Sequence, residues 1–185
     1  MGRVRRTLGK PWFITALFTG VVLAGVGLYW FQPWKLWVDE TVRDPFPVAA
    51  STPTAPSSGA GGDGADAGPK ELATGKLISH EHETSGSVRV LRLADGTRVL
   101  RLTGLETSNG PALRVWLSDA EVRPGKDGWH VFDDGKHVSL GELKGNKGDQ
   151  NYPLPADVDL DDYRSVTIWC DRFDVSFGAT ELARA

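Results

Sequence analysis

The feature that most constrains this 185-residue chain is an uncharged apolar run over residues 12–31. Before the aromatic residues at its end, the only polar side chains in the run are Thr15 and Thr19. A helix of that length rises about 30 Å, which matches the hydrocarbon thickness of a bilayer. A surface helix of a soluble domain would show a polar face, and this run has none. The sequence therefore predicts one transmembrane helix over 12–31.

The flanks of the run predict its orientation in a cell membrane. Residues 1–11 are basic, and positive charge stays on the cytoplasmic side, so we expect the N-terminus in the cytoplasm and the rest outside. A cleaved signal peptide is the alternative, but its apolar core would be shorter and residues 32–37 make a poor cleavage context. An aromatic belt is expected at the outer headgroups, formed by Tyr29, Trp30, Phe31, Trp34 and Trp37.

Residues 32–70 are predicted to form a juxtamembrane segment and a disordered linker. Between positions 45 and 69 the chain consists mainly of Pro, Ala, Ser, Thr and Gly with a few acids. Such a segment buries too little apolar area to offset the entropy lost on ordering. We expect a flexible tether that keeps the folded part near the bilayer without fixing its orientation.

Residues 71–185 have the length of one domain, which we expect to be extracytoplasmic. They contain 14 Lys and Arg against 19 Asp and Glu. An acidic domain has no basic footprint for nucleic acid, and anionic lipid should repel it mildly. The bias toward Ala, Gly, Arg, Asp and Val is typical of a GC-rich bacterium and favours a bacterial envelope protein.

The domain reads as short β-prone runs separated by clusters of Gly, Pro, Asn and Asp. This pattern predicts an all-β sandwich or barrel-like domain of short antiparallel strands. Asp95-Gly96 is a strong hairpin signal, and the arginines at 89, 92, 98 and 101 suit solvent-facing positions. Only 179–184 shows helical periodicity. The predicted strands are 87–93, 98–102, 113–117, 129–132, 138–140, 165–170 and 173–177.

Cys170 is the single cysteine of the chain. In an oxidising compartment an unpaired cysteine is an intermolecular bridge, a reactive thiol, a ligand or a small buried hydrophobe. If 165–170 is a strand, Val166, Ile168 and Cys170 share the face toward the core, where a thiol is unreactive. A bend at residues 171–172 would instead bring the thiol near the rim, close to the positive charge of Arg172. All four roles therefore stay open.

Other candidate site residues carry weaker signals. His80 and His82 would point the same way in an extended strand, as metal ligands do, or they are solvated residues that enter the first strand. The Gly-rich loop 143–149 lacks a phosphate-binding pattern, and the acidic loop 156–162 lacks the central Gly of a calcium loop, although its Val158 and Leu160 can anchor it inward. No hydrolase motif is found, which favours a protein that is not an enzyme.

Three motifs occur in order over 107–118, 140–152 and 166–173. Together they resemble the electron-transfer DM-thirteen domain family over about residues 80–182. The resemblance implies electron transfer with a redox partner, through a cysteine that is a bare thiol or a ligand to a group such as haem. That residue is Cys170, and Trp169, Arg172 and Tyr152 in the same motifs are its candidate neighbours. The alternative is a non-catalytic binding or structural envelope module with an inert cysteine.

Overall fold

An apolar helix and a two-sheet domain make up the protein in a computed structural model, which describes residues 11–34, 38–48 and 68–185. Helix α1 spans Pro11–Phe31. Its window Ile14–Phe31 has a mean hydropathy of 1.8 and is 0% buried, so by length and composition it is able to cross a membrane. The predicted cytoplasmic segment, apart from its last residue, and most of the predicted linker lie outside the described residues.

Two sheets of short strands form the domain. One sheet has the order β1-β8-β5-β4-β2-β11 and the other has the order β3-β10-β9-β6-β7. All pairs are antiparallel except β1 with β8. The strands are β1 Thr41–Arg43, β2 Lys70–Lys76, β3 Ile78–Ser79, β4 Ser85–Arg92, β5 Arg98–Glu106, β6 Leu113–Ser118, β7 His137–Glu142, β8 Lys147–Leu154, β9 Ser165–Cys170, β10 Val175–Glu181 and β11 Ala183–Arg184.

The core lies between the two sheets, which confirms the predicted all-β sandwich. Alternate residues of β6, namely Leu113, Val115 and Leu117, are buried in it as predicted. The hairpin between β4 and β5 turns at Gly96, whose φ of 85° lies in the left-handed region that Asp-Gly turns require. Val158 and Leu160 anchor the acidic loop inward, as its alternating pattern indicated.

Two predicted elements are wrong. Residues 129–132 form no strand but belong to a loop that covers the outer face of the second sheet, and Phe132 is fully buried against Trp169 there. The apolar side chains of this loop pack against the second sheet, and the loop itself does not form a strand of that sheet. The helical periodicity over 179–184 is also misleading, because those residues continue β10 and form β11.

Residues 38–48, here called the edge segment, lie along the edge of the first sheet. Its strand β1 pairs in parallel with β8, and the Asp44 amide donates to the Asp149 carbonyl at 3.0 Å. Lys147 binds Asp39 and Lys144 binds Asp44, each at 2.7 Å. The expected free tether therefore applies at most to residues 49–67, which lie outside the described part of the chain.

The prediction for one arginine is wrong because the edge segment covers it. Arg101 was predicted to face solvent, but only 5% of it is exposed. Its guanidinium binds the Asp149 carboxylate at 2.7 Å and the main-chain carbonyls of Asp44 and Pro45. The ring of Phe46 lies 5.4 Å from the guanidinium carbon. The sequence pattern of β5 gave no sign of this cover, because it comes from residues more than fifty positions earlier.

The two ends of the sandwich differ in their contacts. At the helix-side pole, defined by loops 107–112, 143–146 and 171–174, the domain meets residues 30–31 and 38–40. The distal pole lies at the opposite end of the strands and is defined by turn 93–97 and loop 155–164. Strand β9 runs toward the helix-side pole and ends there at Cys170.

Candidate functional site

Cys170 is the last residue of β9, a strand buried on both faces. Its register partners are Leu113 in β6 and Val175 in β10, and its side chain belongs to the core between the sheets. The residue is 0% exposed. The predicted inward face of β9 is therefore correct, and the thiol has no open path for an attacking reagent in the folded state.

Burial raises the pKa of the Cys170 thiol, because a thiolate would lose its hydration there. The main-chain amides of Arg172, Phe173 and Ala112 act in the opposite direction by hydrogen bonding to the sulfur. Burial outweighs them, so the group stays a thiol at neutral pH.

The predicted bend after Cys170 is a tight turn at residues 171–174. Asp174 has a φ of 50°, which lets the chain reverse directly into β10. Arg172 supplies its amide to the sulfur, while its guanidinium carbon lies 5.2 Å from the ring centre of Trp30. Phe173 is 45% exposed, and its ring stacks on Phe31 with centroids 6.1 Å apart. The turn thus joins the cysteine to the end of helix α1.

A cleft of about 340 Å³ lies beside this turn. Charged side chains of Glu40, Arg114, Glu142 and Arg172 line it. Haem requires an apolar slot and a sulfur that reaches the iron, whereas this cleft is polar and the sulfur is enclosed. The residues present do not fit haem held by Cys170.

Trp169 lies on the opposite face of β9, away from the sulfur. It stacks on Trp116 at 5.2 Å and meets Phe132 edge-on at 6.4 Å. Trp116 in turn stacks on the exposed ring of His137 at 4.3 Å. A continuous aromatic layer therefore runs from the cysteine strand to the surface of the second sheet.

Tyr152 supports the helix-side pole from within the core. Its hydroxyl donates to the Gln150 side chain at 2.6 Å and accepts from the Lys144 amide at 3.1 Å. Burial raises the pKa of Tyr152 to about 12. Gln150 is fully buried and also donates to the Gly145 carbonyl at 2.7 Å. Tyr152 thus positions loop 143–146 and shares the core with Cys170.

The two candidate metal ligands have separate partners. His80 is not solvated as one alternative proposed, because it is 8% exposed and lies between Ser176 Oγ at 2.7 Å and the Arg123 carbonyl at 3.1 Å. Burial lowers the pKa of His80. The ring of His82 lies 3.9 Å from that of Phe177. Within the described residues, no group of three His, Cys, Asp or Glu side chains is placed to hold a metal ion.

Comparison with known families bears on this site. The family model named "Electron transfer DM13", the DM-thirteen family, matches residues 76–182, which is more than half of the chain. The chain belongs to this family. No curated protein and no solved structure matches it. The matched DM-thirteen region begins at the end of β2 and includes Cys170, its turn, the whole second sheet and β4, β5 and β8 of the first, so the protein is a redox-related module of the electron-transfer type.

Sequence reasoning missed several residues that build this DM-thirteen domain. Asn146 is 1% exposed and joins loop 143–146 to the edge segment: its side chain donates to Asp39 and accepts from the Glu40 amide. The glycines of the same loop were one available signal. A Cβ at Gly145 would collide with the Glu40 carbonyl, so Gly is needed there for close approach.

Proposed function

We propose that the protein is a single-pass, membrane-anchored electron-transfer module whose β domain lies on the extracytoplasmic side. The family match supports the redox role, and helix α1 supports the anchor. The basic residues that precede the helix support the orientation. In this proposal Cys170 is the redox group and a separate one-electron acceptor is the partner.

The observation that carries the proposal is an enclosed sulfur beside a surface turn. Thiol–disulfide exchange needs direct attack on sulfur, which the 0% exposure of Cys170 opposes. An electron needs no such opening. The Cys170 thiol would give one electron to the acceptor and release its proton, and re-reduction would return both. The stacked rings of Trp169, Trp116 and His137 supply polarisable contacts from β9 to the surface.

A second candidate function is a non-catalytic binding module in which Cys170 only packs. Full burial and the raised pKa of the thiol favour it. The two candidates differ in a single property, the ability of the sulfur to exchange electrons while the domain stays folded.

Voltammetry of the full chain in a lipid film on an electrode separates them. We expect a redox wave in the wild type that is absent in Cys170→Ser. The matched control is Ile168→Val, which shortens one side chain of the same buried strand but keeps the sulfur. This variant should keep the wave. A wild-type film that gives no wave, with intact circular dichroism, would leave the inert module as the function.

A further inference from the structure

We propose that the turn at residues 171–174 docks on the phospholipid bilayer beside helix α1, with Phe173 inserted at the boundary between acyl chains and headgroups. This inference rests on the proposed membrane anchor. It adds a second membrane contact, made by the domain itself, at the pole that holds Cys170.

Depth is the first argument. The 18-residue window Ile14–Phe31 rises about 27 Å as a helix, close to the roughly 30 Å hydrocarbon core of a bilayer. Phe31 therefore lies at one hydrocarbon boundary. The rings of Phe31 and Phe173 are 6.1 Å apart and within 19° of parallel. Phe173 consequently lies within about 6 Å of the depth of Phe31.

The surface around Phe173 is the second argument. One exposed aromatic ring on a protein surface is ordinary. Here the 45% exposed Phe173 stacks on the half-exposed ring of Phe31, its neighbour Arg172 lies over the half-exposed ring of Trp30, and Trp34 follows within three residues. Aromatic side chains settle at the headgroup level of membranes, where their apolar bodies and polar atoms are both accommodated. Domain and helix thus contribute to one aromatic patch.

Arg172 gives the third argument. Its Nη1 atom is buried and has no hydrogen-bond partner among the described residues. Its guanidinium lies over the ring of Trp30 and faces a cleft that Arg114, Glu40 and Glu142 also line. Arg114 is paired with Asp171. Arg172, in contrast, has one N–H group without a hydrogen-bond partner among the described residues. At this depth the headgroups also bring phosphate oxygens, which are strong acceptors for an arginine N–H group.

The docking does not depend on anionic lipid. Residues 71–185 are acidic as a whole, with 14 Lys and Arg against 19 Asp and Glu. Every phospholipid carries the phosphate that Arg172 would bind, and ring insertion needs no net charge. Zwitterionic phosphatidylcholine should therefore suffice.

Spin-label depth measurements on the full chain in phosphatidylcholine vesicles test the inference. Labels are placed at Phe173→Cys, at Leu23→Cys within the helix and at Asp95→Cys on the distal pole, each with Cys170 retained and with Cys170→Ser. Oxygen concentrates in the bilayer and a nickel chelate stays in water. We expect the chelate to relax the label at 173 several-fold less than the label at 95, with position 23 the most protected.

Each other outcome is decisive. A label at 173 as accessible to the chelate as the label at 95, with position 23 protected, overturns the docking and leaves the anchor intact. A chelate-accessible label at 23 overturns the anchor and the docking together. Protection of 173 that appears only after phosphatidylglycerol is added overturns the aromatic insertion and replaces it with an electrostatic contact.

Discussion

The two poles of the sandwich are built from the same kind of strand ends but are held differently. The distal turn at Asp95-Gly96 is closed by its own residues, since Asp95 accepts from the amide and hydroxyl of Thr97. The helix-side pole is closed by residues 30–31 and 38–40, which precede the matched domain. The distal turn is therefore specified by its own local sequence and needs no contact with a distant part of the chain. The helix-side pole, which holds Cys170, depends instead on the chain that leads to helix α1.

The largest expected effect is at Asn146. Its side chain donates to Asp39 at 2.8 Å and to the Thr107 carbonyl at 2.9 Å, and it accepts from the Glu40 amide at 2.7 Å. Asn146→Ala leaves a buried carbonyl unpaired, so we expect a loss of about 1–3 kcal/mol in the free energy of unfolding. Urea unfolding of the full chain in detergent micelles measures it.

Asp95→Ala is the control on the distal pole. It also removes a side chain that accepts two hydrogen bonds, but both donors return to water. We expect a clearly smaller loss of stability. Equal losses at the two positions would contradict the difference between the poles.

The sequence predicted those features of the domain that depend on residues close together in the chain. The Asp95-Gly96 hairpin, the alternation in β6 and the inward face of β9 each depend on neighbouring residues, and each is confirmed. Arg101 was placed in solvent, and solvation was one of two alternatives for His80, because their covers, Asp44–Pro45 and Ser176, come from distant positions. The β1–β8 pair joins residues about one hundred positions apart, and no periodicity in either strand encodes it. Cys170 could be singled out, but the contact of its turn with helix α1 could not.

The dependence of the free energy of unfolding on alkaline pH tests the contribution of Tyr152 to the helix-side pole. Its pKa is raised to about 12 in the folded protein and is near 10 when unfolded. Between these values only the unfolded state has lost the phenolic proton, so the free energy of unfolding falls as pH rises from about 10 to about 12. The contribution is at most about 3 kcal/mol. Urea unfolding across that range should show a shallower decline for Tyr152→Phe than for the wild type.

Tyr163→Phe is the matched control for this slope, because it keeps Tyr152 and removes a hydroxyl near the distal pole. We expect it to follow the wild-type decline. If Tyr152→Phe declines as steeply as the wild type, the buried hydroxyl does not contribute to the alkaline loss.

The smallest effect is expected at Gly145. A methyl group there collides with the Glu40 carbonyl, while the backbone of Gly145 is not in the left-handed region. Gly145→Ala should loosen the edge segment with little change in global stability. Hydrogen exchange should then accelerate at the amides of Lys147 and Asp44, which bond across β1 and β8.

Gly68→Ala is the control, since a Cβ at Gly68 meets no atom within 4 Å. Its exchange pattern should match the wild type. Unchanged protection at Lys147 in Gly145→Ala would mean that the edge segment is not held by close approach to this loop.

We propose that the sulfur of Cys170 is both enclosed and electroactive, and voltammetry after alkylation tests this proposal directly. The full chain is treated with N-ethylmaleimide either while folded or in urea followed by refolding, and is then studied as a lipid film. We expect the redox wave to survive alkylation of the folded protein and to disappear after alkylation in urea, because only unfolding exposes the thiol. A wave lost after native treatment would contradict the enclosure, and a wave retained after alkylation in urea would contradict the role of Cys170.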